Sequence, residues 1–293
     1  MNNLNLYIKL LKPLKVERIN SVYILYTMDG DYVLKKSKCD YKKLYSYLNS
    51  RGFKNYPELC DGNRNDCYLF KYEKDLEIDN NQKIKDIFNT VSILHNKTSY
   101  FKDVTSIIYN NIYDDINSNL EYLNNKFKYF FDNDINNRVL IPSRYLFLRF
   151  YSLFYFSIIE SKKYLDKWFD MVKSNNKERV CLIHNNLKLE HYIKNDNDYL
   201  ISWDKYKFDT PVLDIYEFYK NTYLNGNIVD NMDIYLEKYP WNESEKLLFC
   251  SLITIPFDIS FDTNEIDLCR EIRKNIIYLN KSYELVTKMA IEV

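Results

Sequence analysis

The stretch CLIHNNLKLEHYIKNDNDYLISWDKYKFDTPVLDIYEFYKN, residues 181–221, holds two of the three histidines of a 293-residue chain, His184 and His191, and an evenly punctuated run of acids. Its period changes along its length. IKNDNDYLISW reads as a β-hairpin turning around Asn195–Asp198, because β-branched and aromatic residues flank a cluster of turn formers. From about residue 213 the pattern is helical to the end, with Pro211, Pro240 and Pro256 as punctuation. Histidines and acids gathered at strand ends make this the part of the chain where chemistry is sought first.

Outward from it, the first third reads as strands. KVERIN, VYILYT and DYVLKK are short, β-branched and aromatic, with Asp29-Gly30 as a hairpin turn. YKKLYSYLNSRG follows as a helix closed by Gly52, and CYLFKYE, residues 67–73, is another strand. After about residue 80 the period becomes helical. Ile84, Ile87, Phe88, Val91 and Leu94 share one helix face, and Val104, Ile108, Ile112, Ile116, Leu120, Leu123 and Phe127 continue as a long apolar stripe. Residues 143–174 form a third helical stretch, able to pack antiparallel on the second across the turn near NDINN. The expected fold class is α+β: a small β-rich N-lobe, residues 1–75, and a larger, mainly helical C-lobe, residues 76–293, with the hairpin at its heart.

The bulk numbers exclude several classes. Hydrophobic residues make up 46%, enough for a sizeable core. Basic and acidic residues balance at 41 each, which gives no electrostatic footprint for nucleic acid. The 29 tyrosines come with no basic groove and read as compositional bias, not a base-stacking platform. The six cysteines form no C-x-x-C, so zinc and redox motifs have no support and reduced, mostly buried thiols in a cytoplasmic protein are expected. MNNLNLYIKLLKPLK has no secretory pattern. YLFLRFYSLFYFSII, residues 145–159, is too short to span a bilayer, carries Arg149, and reads as a buried helix. The four glycines, Gly30, Gly52, Gly62 and Gly226, are never clustered, so neither the P-loop nor the dinucleotide fingerprint exists. No G-x-S-x-G or H-E-x-x-H occurs either.

The order of elements and the 181–221 stretch together resemble the aminoglycoside and choline kinase superfamily, with its protein-kinase-like bilobal fold, and within it the kinase-like CotS-type spore-coat proteins of Firmicutes. The resemblance covers most of the chain and is strongest at 181–219. The family loop H-G-D-x-x-x-x-N is matched by His184-Asn185-Asn186-Leu187-Lys188-Leu189-Glu190-His191. The strand I-D-[WF]-[ED] is matched by Ile201-Ser202-Trp203-Asp204. The segment D-P-x-x-D-L is matched by Thr210-Pro211-Val212-Leu213-Asp214-Ile215. Upstream, Lys35 in Tyr32-Val33-Leu34-Lys35 matches the strand-three lysine, and His95 in SILHNKTS matches a helix-end histidine.

The resemblance implies roles, and the substitutions change them. Lys35 would hold nucleotide phosphates; the bland reading is a solvated strand-end lysine. Asn186 stands at the base position, where an amide orients a hydroxyl but takes no proton near neutral pH. The loop and strand residues that hold Mg²⁺ fall on His191 and on Ser202 or Asp204. The Ser202 register places Trp203 on the family aromatic and runs to Pro211 and Asp214 without a gap; the Asp204 register keeps one carboxylate. Imidazole and hydroxyl are poor ligands for a hard ion, and a softer ion between His191 and Glu190 is a further alternative. His184 would be a structural hub and Asp214 an anchor for the loop. No glycine loop precedes Val22, and Asp40, the acid nearest Lys35, stands too early in its helix to be its partner.

The implied reading is a phosphotransferase-fold protein acting as a pseudokinase, a binding or assembly module that is cytoplasmic or assembled in a spore coat. Its partners would be a nucleotide or a protein, with neither nucleic acid nor membrane. Two alternatives stand beside it: an active ATP-dependent phosphotransferase on a small hydroxyl or amine, with ATP and Mg²⁺ or Mn²⁺ as cofactors, and a purely structural protein.

Overall fold

A computed structural model of the chain describes residues 3–64, 66–137 and 139–289. Contacts divide the chain into two compact units. One comprises Met1–Ser99, Cys181–Asp209 and Asp233–Tyr239, the other Tyr100–Val180, Thr210–Met232 and Pro240–Val293.

The first unit begins with α1 (Asn3–Leu11), β1 (Lys15–Ile19), β2 (Val22–Thr27), β3 (Gly30–Lys36), α2 (Tyr41–Ser50), β4 (Leu59–Arg64), β5 (Cys67–Lys71) and α3 (Asn80–Thr98). The strands form one antiparallel sheet in the order β1-β2-β3-β5-β4. Side chains alternate across a strand, so the sheet sorts its residues onto two faces. Leu25, Leu34, Cys67 and Leu69 meet Tyr7, Leu4 and Leu11 of α1 in one cluster. Their neighbours Ile24, Val33, Lys35 and Phe70 turn the other way and line a cleft. Two caps fix α2. The Asp40 carboxylate accepts from Lys43 N at 3.1 Å, and Gly52, at φ +71°, closes a Schellman motif in which Gly52 N donates to Asn49 O and Phe53 N to Leu48 O.

The second unit contributes β6 (Tyr100–Asp103), α4 (Ser106–Asp134) and α5 (Pro142–Val172). These two long helices are antiparallel: Tyr109 meets Trp168, Tyr113 meets Phe169 and Phe127 meets Phe147. Strand β7 (Lys177–Ile183) pairs through Lys177–Val180 with β6. Through Cys181–Ile183, in the first unit, it pairs with β10 (Lys207–Asp209), and between them lies the hairpin β8 (Tyr192–Lys194) and β9 (Asp198–Leu200). The helices α6 (Val212–Thr222), α7 (Ile228–Lys238), α8 (Glu243–Ile253) and α9 (Glu265–Lys288) complete the chain. The fold is α+β, with a small antiparallel sheet toward the N-terminus and mainly helices after it.

Four local expectations shift. The β2–β3 turn is Met28–Asp29, not Asp29-Gly30: Thr27 pairs with Gly30, and the Thr27 hydroxyl ties Asp29 N and Gly30 O one residue earlier. The apolar stripe before Leu120 breaks, because Tyr109 takes the buried position and Ile108 is exposed. The 145–159 stretch is half-buried: Phe147, Phe154 and Ile158 enter the core, while Tyr145 and Phe156 are each 57% exposed. α1, β4 and β6 have no counterpart in the pattern reading. They are short or polar, and tertiary contacts decide them. All six cysteines are free thiols, and among the described residues no helix is long and apolar enough to cross a membrane.

Candidate functional site

Two short segments of the first unit bring the charged centre of the site together. Alternation along β3 sends Lys35 to the same face as Val33. After β9 the chain turns sharply at Ser202, whose φ of +66° is left-handed, into a 3-10 turn spanning Trp203–Lys205. Trp203 is fully buried; its Nε1 donates to Leu200 O at 2.8 Å, and its ring packs on His184 and Phe53. That anchoring aims Asp204 at Lys35, and the two form an ion pair. The second Asp204 oxygen accepts from Ser37 Oγ at 2.5 Å and Tyr41 OH at 3.2 Å, while Lys35 Nζ also donates to Tyr41 OH at 3.2 Å. Burial pushes the Asp204 carboxyl up, but the bonds from Lys35, Ser37 and Tyr41 together outweigh it and hold it below the usual aspartate value. Burial, then the Asp204 charge, drive the Tyr41 phenol well up and the Cys39 thiol to about 11, so neither ionises near neutral pH.

The loop after β7 is held by its own backbone. His184 is buried, and its Nε2 donates to Ile201 O at 2.8 Å. Asn185, at φ +56°, donates through Nδ2 to Lys205 O at 2.9 Å. His191 Nδ1 donates to the Asn186 carbonyl at 2.6 Å, which leaves its Nε2 as an acceptor, 4.0 Å from Glu190. Ile201 N donates back to His191 O.

Burial lowers the His191 pKa from 6.5, more than the Asn186 contact and the Glu190 charge raise it. The unfolded chain therefore takes up a proton before the folded one, and stability falls as pH drops through 6.5 toward the lowered value. His191→Asn is expected to flatten that part of a melting-temperature profile between pH 7.5 and 5, removing a slope of at most about 1.4 kcal/mol per pH unit. An unchanged slope in the variant would show that His191 does not carry it.

The donor set does not fit a divalent cation of the hard, oxygen-seeking kind. Ser202 and His191 bring no carboxylate, Asn186 is an amide, and both Asp204 oxygens are already engaged. No group of three or more His, Cys, Asp or Glu able to hold a metal exists among the described residues.

Beside the ion pair lies a cleft of about 570 Å³ within the first unit. Its lining includes Val22, Ile24, Val33, Phe70, Ile193 and Ile201, Lys71 at the end of β5 with Tyr72 and Glu73 after it, and the β1–β2 turn Asn20-Ser21. Lys35, Glu190, His191 and Ser202 also line it. The structure thus brings Lys35, Asp204, Ser202, His184, Asn186 and His191 into one unit. Asp214 lies in the second unit, fully buried in the first turn of α6. Ser37 and Tyr41 were not legible as site residues. Tyr41 directly follows the N-cap Asp40, close to where an acidic partner for Lys35 was sought, and a phenol gives no acidic signal there.

No protein-family model matches the chain, and no curated protein does. Solved structures do. The aminoglycoside phosphotransferase of Alicyclobacillus acidocaldarius superposes with a TM-score of 0.70 at 10% identity, over 95% of this chain and 92% of that one. The AMP-bound complex of spectinomycin phosphotransferase gives 0.50 at 13% identity over 98% and 97%. The same enzyme with ADP and spectinomycin gives 0.50 at 11% over 92% and 93%. Likeness at such identities speaks for architecture alone, and the architecture is kinase-like: the chain has the fold of the aminoglycoside phosphotransferases.

Proposed function

We propose that the chain is a nucleotide-binding protein of kinase fold that does not transfer phosphate and acts as a binding or assembly module. The carrying observation is the Lys35–Asp204 pair. The lysine that would bind phosphates is tied to a carboxylate that is itself held by Ser37 and Tyr41. Phosphoryl transfer depends almost entirely on positioned charge and metal. Here the base position carries an amide whose backbone carbonyl is bonded to His191, and neither metal position carries a free carboxylate. What survives is a cleft of about 570 Å³ whose lining includes Val22, Ile24, Val33, Phe70, Ile193 and Ile201, an apolar environment suited to a nucleobase. The resemblance to spore-coat kinase-like proteins supplies a setting for such a module.

The test pairs binding with turnover. Thermal denaturation with a panel of nucleosides and nucleotides is expected to show stabilisation, about 2.7 kcal/mol at 100 times Kd. Val33→Phe, which crowds the cleft, is expected to abolish it. Incubation with ATP and Mg²⁺ and a set of small hydroxyl and amine acceptors is expected to give no phosphorylated product. Transfer of the γ-phosphate would establish the active-enzyme reading instead. Absence of stabilisation by every compound would leave a purely structural protein.

A further inference from the structure

Resting on the reading of this cleft as a nucleotide site, the geometry points to a neutral nucleoside as its ligand, bound without metal, in preference to a nucleoside polyphosphate. Three independent features of the lining carry this.

The first is the β1–β2 turn. The ladder runs without a break to Ile19↔Val22, so only Asn20 and Ser21 stand outside it. A loop that wraps a phosphate chain needs several free backbone N–H groups and close approach. This turn offers two residues at most, with Asn20 at φ +51°. Arg18, just before it, is already engaged: Nε donates to the turn's own Asn20 O at 3.2 Å and the guanidinium lies over the Tyr23 ring.

The second is charge. The charged residues lining the cleft are Lys35, Lys71, Glu73 and Glu190, two of each sign. Lys35 is paired with Asp204, which makes that corner neutral, and Lys71 lies 3.9 Å from Glu73. Glu190 stands largely exposed at the lip, with Lys188 at 3.6 Å. A triphosphate would bring roughly four negative charges to a lining whose cations are each paired and whose metal positions carry no free carboxylate.

The third is the supply of acceptors. Both Glu73 oxygens are taken, by Lys71 and by Asn195 Nδ2 at 3.0 Å, which leaves the Glu190 carboxylate and His191 Nε2; these accept hydrogen bonds and, as they stand, donate none. Acceptors of this kind pair with the hydroxyls of a ribose and repel phosphate oxygens. The apolar part of the lining, Ile24 and Val33 included, takes the base.

Isothermal titration with adenosine, AMP and ATP, each in Mg²⁺ and in EDTA, tests this on the full chain. Adenosine is expected to bind about tenfold or more tightly than ATP, a gap of about 1.4 kcal/mol, with AMP between them and EDTA without effect. Glu190→Lys, a change at an exposed lip position, is expected to raise ATP affinity and narrow the gap. ATP binding more tightly than adenosine, or only with Mg²⁺, overturns the inference while leaving a nucleotide site in place. No binding of any of the three overturns both this inference and the reading it rests on.

Discussion

Trp203→Ala is expected to lower the melting temperature by about 10 °C, read by circular dichroism, and to remove ligand-induced stabilisation with it. Truncating a fully buried aromatic costs about 3–5 kcal/mol, and each kcal/mol is about 2–4 °C for a chain of this size class. Trp203 is fully buried between His184 and Phe53, and its Nε1 bond to Leu200 O pins the turn that follows β9. The loss therefore acts on function through geometry as well as stability. With the indole gone, the left-handed Ser202 and the 3-10 turn lose their buried anchor, and the polar contacts that remain, such as Asn185 Nδ2 to Lys205 O, are not expected to keep Asp204 presented to Lys35. Trp203→Phe keeps a ring in the space but loses the hydrogen bond, and is expected to cost about 1–2 kcal/mol. A Trp203→Ala protein with wild-type melting temperature would mean that the turn is held from elsewhere.

What the sequence showed and hid follows from how local each signal is. The strands β1, β2, β3 and β5 were legible because apolar alternation is written in consecutive residues, and α3 because Ile84, Ile87, Phe88, Val91 and Leu94 fall on one face; all five are buried. The Gly52 cap was legible because so few residues adopt φ +71° without strain. The partner of Lys35 was not. It lies 169 positions away in the chain, whereas the sequence offered only the nearby Asp40; Asp204 was read as one of two registers, with Ser202, for a metal ligand. Ser37 and Tyr41 were hidden for the same reason. A serine and a tyrosine carry no signal until a carboxylate arrives between them. Spacing locates a loop, whereas pairing across the sheet and the loop assigns its charges.

That assignment predicts how metal dependence could be put back. Ser202→Asp combined with His191→Asn is expected to make ATP stabilise the protein in Mg²⁺ or Mn²⁺, by about 2.7 kcal/mol at 100 times Kd, with EDTA abolishing the effect. The wild-type chain is expected to show no metal-dependent stabilisation. Position 202 accepts the change because aspartate is among the residues that tolerate a left-handed backbone, and Ser202 already lines the cleft at φ +66°. The new carboxylate supplies the negative oxygen ligand that the site lacks, while Asp204 remains engaged with Lys35, Ser37 and Tyr41. Asparagine at 191 replaces an imidazole by a hard amide oxygen and frees the Asn186 carbonyl from the bond it now accepts. Phosphate transfer is expected to stay absent, since Asn186 still has no carboxylate to take a proton. Adding Asn186→Asp tests that last step separately from binding. A wild-type chain already stabilised by ATP in a Mg²⁺-dependent way would show that the missing carboxylates are supplied elsewhere. A well-folded double variant with no metal response would show that the tight Asn20-Ser21 turn, not the metal ligands, is what keeps phosphates out.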